Sequence, residues 1–80
     1  MTNEIKNQEY FVPQIQCAAW LVLCGFEILR IEQNGKHKQH YFENTKQLQS
    51  HISMYKSGEY YSPEFAEVVS QIKAMPTVKI

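Results

Sequence analysis

FEILRIEQNGKHKQHYFE, residues 26–43, decides the fold. Residues 26–33, with Phe26, Ile28 and Ile31, and residues 36–43, ending on Tyr41 and Phe42, read as two extended segments that flank Asn34-Gly35, a dipeptide that accepts the positive φ of a tight hairpin turn. A β-hairpin follows, with two registers open. A two-residue turn sets Ile28 against Tyr41 and Leu29 against His40. A three-residue loop sets Ile28 against Phe42 and Leu29 against Tyr41, and this second pairing collects Phe26, Ile28 and Phe42 on one face, the better core. A slip of one residue reverses every side chain, so the two registers predict opposite faces.

Upstream, residues 14–24 read as a helix. Pro13 suits a first turn and Gly25 suits a left-handed C-terminal cap. From Cys17 to Cys24 the helix is apolar on nearly every side, which marks it as the central, buried helix. Residues 9–12 precede it as a short strand, and the polar, aperiodic residues 1–8 read as a frayed lead-in to a single domain over 9–80. Downstream, Asn44 is the expected cap of a second helix carrying Leu48, Ile52 and Tyr55, with Gln47 three residues on and Gly58 as its stop. Ser62-Pro63 then opens a third helix with Phe65, Val68, Val69 and Ile72 on one stripe, closed by Pro76. The order β-α-β-β-α-α predicts an α+β fold: a three-stranded, mostly antiparallel sheet packed against helices. The expected core is Trp20, Leu21, Val22, Phe26, Ile28, Phe42, Leu48, Ile52, Phe65, Val69 and Ile72.

Composition narrows function by exclusion. The chain has 80 residues and a formal net charge of zero, from 8 Lys plus Arg against 8 acids, so no global field draws it to nucleic acid or an anionic membrane. Every acid is Glu; the absence of Asp removes Asp-centred triads, Asp-based phosphoryl transfer and EF-hand loops. Cys17 and Cys24 lie about 10.5 Å apart along a helix rising roughly 1.5 Å per residue, beyond the ~7 Å Cα separation a disulfide tolerates. The polar N-terminus offers no apolar signal region, and the longest apolar run is far short of the roughly 20 residues a membrane span needs. A reducing, cytoplasmic location is the expectation.

The stretch EYFVPQIQCAAWLVLCGFEILRIEQNGKHKQHYFENTKQLQSHISMYKSGE, followed by SPEFAEVVSQIKAM, resembles a small domain family of unknown function found in phages, prophages and bacteria. The shared features are an initial strand, an alanine-rich helix ending in Gly, a hairpin with an aromatic second strand, and a Gly-then-Pro-helix-Lys tail, together covering Glu9 to Met75. These are packing and turn residues, so the resemblance implies a fold and carries no activity. Lys73 matches a basic position of the family that has no assigned role. The basic run Lys36-His37-Lys38-Gln39-His40 departs from the family pattern.

That basic strand is the first candidate site. Lys36, Lys38, His40 and Tyr41, with Arg30 on the partner strand and Lys46 beyond, would form a cationic, aromatic face of the kind single-strand nucleic-acid binders use. The plainer account is that edge strands carry lysines to discourage sheet-to-sheet pairing, with Glu27, Glu32 and Glu43 offsetting the charge. His37 and His40, three apart on a strand, point to opposite faces and cannot share a metal ion without a bulge. Neither a metal nor a cofactor is expected. Glu64 and Glu67 are the nearest approach to paired catalytic acids, and at a helix start they complement its dipole instead; no enzymatic activity is expected.

The leading expectation is therefore a non-enzymatic protein-interaction module of unknown target, for which the resemblance suggests a phage or prophage accessory that binds a host protein. A small nucleic-acid-binding domain is the alternative. One Trp, five Tyr and four Phe are a large aromatic load for so short a chain, and exposed apolar surface around Tyr10, Tyr55, Tyr60 and Tyr61 would mark the protein interface and permit a homodimer.

Overall fold

A computed structural model describes residues 9–56, 58–60 and 62–79; the expected frayed lead-in and Tyr61 lie outside them. Along the chain run β1 (Glu9–Val12), α1 (Ile15–Leu23), β2 (Ile28–Asn34), β3 (His37–Glu43), α2 (Lys46–Met54), α3 (Pro63–Ala74) and β4 (Val78–Lys79). The α+β class and the β-α-β-β-α-α order hold, and a short fourth strand is added. The sheet order is β1-β3-β2-β4. β3 is antiparallel to both its neighbours, whereas β4 joins β2 in parallel, making the sheet mixed. Two residues after Pro76 carry no readable period, so sequence had nothing with which to announce β4.

α1 ends in a Schellman motif. The Gly25 N–H donates to the Val22 carbonyl and the Phe26 N–H to the Leu21 carbonyl, both at 3.0 Å. Gly25 adopts φ +105°, a conformation open to glycine at little cost. The motif reverses the chain and delivers Phe26 onto the core. The caps of the later helices show one success and one correction. Ser62 accepts from the Phe65 N–H with Pro63 in the first turn, as expected. On α2 the cap is Thr45, whose Oγ1 accepts from the Leu48 N–H at 3.0 Å, while Asn44 accepts from the Gln49 side chain. Helix α2 also stops before Gly58: Tyr55 already has an extended ψ of 134°, and its ring packs on Trp20.

The hairpin obeys neither predicted register along its whole length. Asn34 pairs with His37, so the turn is Gly35-Lys36, with Gly35 at φ +64° in the first turn position. At the far end Ile28 faces Phe42, as the three-residue loop required, but Arg30 faces Tyr41. One extra residue, Leu29, is accommodated between them as a β-bulge. The bulge resets the alternation so that Ile31 joins Phe42 and His40 in the interior.

Helices cover one face of the sheet. The buried core is Val12, Cys17, Ala18, Ala19, Leu21, Ile31, Phe42, Leu48, Phe65 and Ile72. Of the remaining expected members, Trp20, Val22, Phe26, Ile28, Ile52 and Val69 are half-buried against it. Small residues on α1 allow that helix close to its neighbours, whereas Leu23 and Cys24 at its end are exposed, contrary to an apolar helix buried on every side.

Candidate docking cleft

Cross-strand register distributes the hairpin's polar side chains over two faces. Phe11, Tyr41 and Arg30 stand in one row across β1, β3 and β2 on the face opposite the helices. The Arg30 guanidinium lies 4.2 Å from the centre of the Tyr41 ring and reaches past it to Glu9 at 2.9 Å, while also bonding Glu32 at 2.7 Å. Those two carboxylates raise the Arg30 pKa above its ordinary value. Desolvation, followed by Glu32, pushes the Tyr41 hydroxyl up. Arg30 and Tyr41 are thus engaged with each other and with acids.

His40 faces the other way and is only 2% exposed. Its Nδ1 donates to the Val12 carbonyl at 2.7 Å, tying β1 to β3, and desolvation lowers its pKa. It is a core residue, which corrects its expected role as a surface contact. His37 lies on the open face, so the two histidines are on opposite faces as their spacing required. The six residues of the nucleic-acid alternative do not share a surface: Arg30 and Tyr41 occupy the open face, Lys38 and His40 the other, Lys36 the turn and Lys46 the start of α2. The register supplies a different basic row instead. Gln33 pairs with Lys38 on one side and Lys79 on the other, with Lys36 in the adjoining turn.

The interface tyrosines also separate. Tyr60 packs 5.7 Å from Trp20, 5.5 Å from Tyr55 and 5.9 Å from Phe65, and its hydroxyl accepts from the Lys56 N–H. Tyr55 and Tyr60 therefore close the helical layer over Trp20 and are half-buried. Tyr10 remains 39% exposed, beside Pro13, Cys17 and Ile52.

The concavity that sequence reasoning missed is a cleft of about 540 Å³ at the end of the hairpin remote from its turn. Three elements build it. The end of α1 and the link to β2 contribute Cys24, Gly25, Phe26 and Glu27; the bulged strand and its partner contribute Leu29, Phe42 and Glu43; α2 contributes its cap Thr45, Gln47 in its first turn and His51 in its last. Phe26 meets His51 edge-on at 5.1 Å, and the His51 Nδ1 donates to the Gln47 carbonyl at 2.8 Å, which fixes that ring. Leu29, lifted out of the ladder by the bulge, is 47% exposed at the rim. Such bulges recur where a side chain must be re-aimed beside a functional site.

Partial desolvation raises the pKa of the largely exposed Cys24 thiol above its ordinary value, the direction opposite to that of an activated thiolate. Among the described residues no group of three or more His, Cys, Asp or Glu is placed to hold a metal ion, and no helix is long and apolar enough to cross a membrane.

The fold defines a small α+β domain with a mixed four-stranded sheet, helix-covered on one face. The chain belongs to the family described as Domain of unknown function (DUF5659), whose model matches residues 7–77. This agrees with the resemblance to an uncharacterised small-domain family. No match was found among curated proteins or solved structures.

Proposed function

We propose that this domain is a non-enzymatic protein-interaction module that docks its partner in the cleft between the end of α1, the bulge of β2 and the start of α2. The observation that carries this reading is Leu29. What distinguishes it from the other exposed leucine, Leu23, is its place: the bulge sets its side chain at the rim of a concavity walled by Phe26, Phe42 and His51, so that apolar lip and aromatic wall form one continuous surface. The family resemblance suggests a host protein as the target of a phage or prophage accessory. Site-specific photocrosslinking in the cells that encode the protein tests the reading. A photoreactive residue at Leu29 should yield a discrete adduct with another protein, and one at Ser70, on the exposed side of α3, should not. Absence of an adduct at Leu29 in cells that express the protein would overturn it.

The basic row supports a second reading, nucleic-acid binding. Neighbouring strands are about 4.8 Å apart, so Lys38 and Lys79 flank Gln33 at a Cα separation of roughly 10 Å. Neither meets a carboxylate among the described residues. Three phosphate contacts would make the logarithm of single-strand affinity fall with that of salt at a slope of about −2. Lys38→Glu with Lys79→Glu should abolish such binding, and Arg30→Gln should leave it intact. No salt-dependent binding at low ionic strength removes this reading.

A further inference from the structure

The cleft's lining also specifies what kind of side chain it takes. Its two charged residues, Glu27 and Glu43, are both carboxylates, and no lysine or arginine lines it among the described residues. Lys46, although adjacent to Thr45 and Gln47 in the chain, is exposed and does not contribute to the lining. Helix dipoles leave the balance unchanged, because the negative end of α1 at Cys24 is offset by the positive first turn of α2 at Thr45. The two carboxylates therefore set the sign. The wall is aromatic: Phe26 is held at 5.1 Å from His51, and His51 is anchored by its bond to the Gln47 carbonyl. A cation beside an aromatic ring is attracted by the ring's quadrupole, and a planar guanidinium adds stacking and paired donors for a carboxylate. Leu29 gives the same opening an apolar lip.

We infer that the cleft is a receptor for an arginine side chain presented by the partner protein, its guanidinium set between Glu27 and Glu43 against Phe26 and its neighbouring residue covering Leu29. This rests on the docking reading above, but it fails separately: a partner can crosslink at Leu29 without inserting a cation.

The test is an amide-resolved nuclear magnetic resonance titration of the full chain with N-acetyl-arginine amide. Its uncharged isostere, N-acetyl-citrulline amide, is the comparison. A probe of about 15 heavy atoms should bind with a dissociation constant on the order of 1 mM. Shifts should concentrate at Gly25, Glu27, Leu29, Glu43 and Gln47, and the citrulline probe should leave these amides in place. Glu27→Gln and Glu43→Gln, both at exposed positions that retain the native spectrum, should each weaken binding roughly two- to fivefold. Equal shifts with the two probes, or none with arginine, would overturn the inference. Concentration-dependent shifts of the same amides without a probe, lost in Lys36→Glu with Lys38→Glu, would seat the hairpin turn of a second copy in the cleft and overturn it as well.

Discussion

Trp20→Ala should destabilise the domain by about 3 kcal/mol. The value follows from where the ring sits. Full truncation of a buried Trp or Phe costs about 3–5 kcal/mol, and Trp20 is half-buried, which brings the burial part down to about 2. Against that, the ring touches Tyr55 and Tyr60 at 5.7 Å and His51 at 6.0 Å. Aromatic pairs add about 0.5–1.5 kcal/mol each beyond the area they bury, so losing two keeps the total near 3. Chemical denaturation with an unchanged m-value measures the effect. A double-mutant cycle of Trp20→Ala with Tyr60→Ala should give a coupling of about 0.5–1.5 kcal/mol. A loss below about 1 kcal/mol, within the range of ordinary surface changes, would refute the placement of Trp20 as the ring on which α2 and the following connector close.

Further outcomes follow from individual residues. Desolvation lowers the folded-state pKa of His40 below its unfolded value, so the neutral form is favoured in the fold. Its contribution is fully present above about pH 6.5 and is lost as pH falls from there through the folded value. The difference in denaturation midpoint between wild type and His40→Gln should shrink on acidification, and a difference independent of pH would contradict the buried assignment. Thr45→Ala should cost about 1 kcal/mol through the lost cap, and Asn44→Ala under about 0.5; the reverse ranking in thermal melts would restore Asn44 as the cap. With Tyr55 and Tyr60 packed over Trp20, the expected homodimer has Tyr10 and Phe11 on β1 as its exposed aromatics. Light scattering should show twice the monomer mass at about 100 μM, above the dissociation range of a standard-sized interface; a monomeric mass removes the dimer.

The elements were legible because each had a local signal: Asn34-Gly35 for the hairpin, Gly25 for the end of α1, Ser62-Pro63 for the start of α3. What failed depended on partners. A bulge exists only relative to the opposite strand, so no reading of FEILRIEQ alone sets Leu29 outside the ladder, and with it Ile31 and His40 inside. His40 looked like a surface cation because its compensation, the Val12 carbonyl, is 28 residues away. Asn44 and Thr45 are both competent caps, and their order in the chain does not choose between them. The cleft draws on α1, the hairpin and α2 at once, which is why the aromatic connector drew attention in its place.

The central claim is that a protein partner is held at the bulge end of the hairpin. Calorimetric titration of the partner captured at Leu29 into wild type, Leu29→Asp, Glu43→Lys and a Lys36→Glu/Lys38→Glu variant tests it most directly. Leu29→Asp and Glu43→Lys should each weaken affinity at least about tenfold, some 1.4 kcal/mol, with the turn variant within about twofold of wild type. Equal affinity across all four, or loss confined to the turn variant, would contradict it.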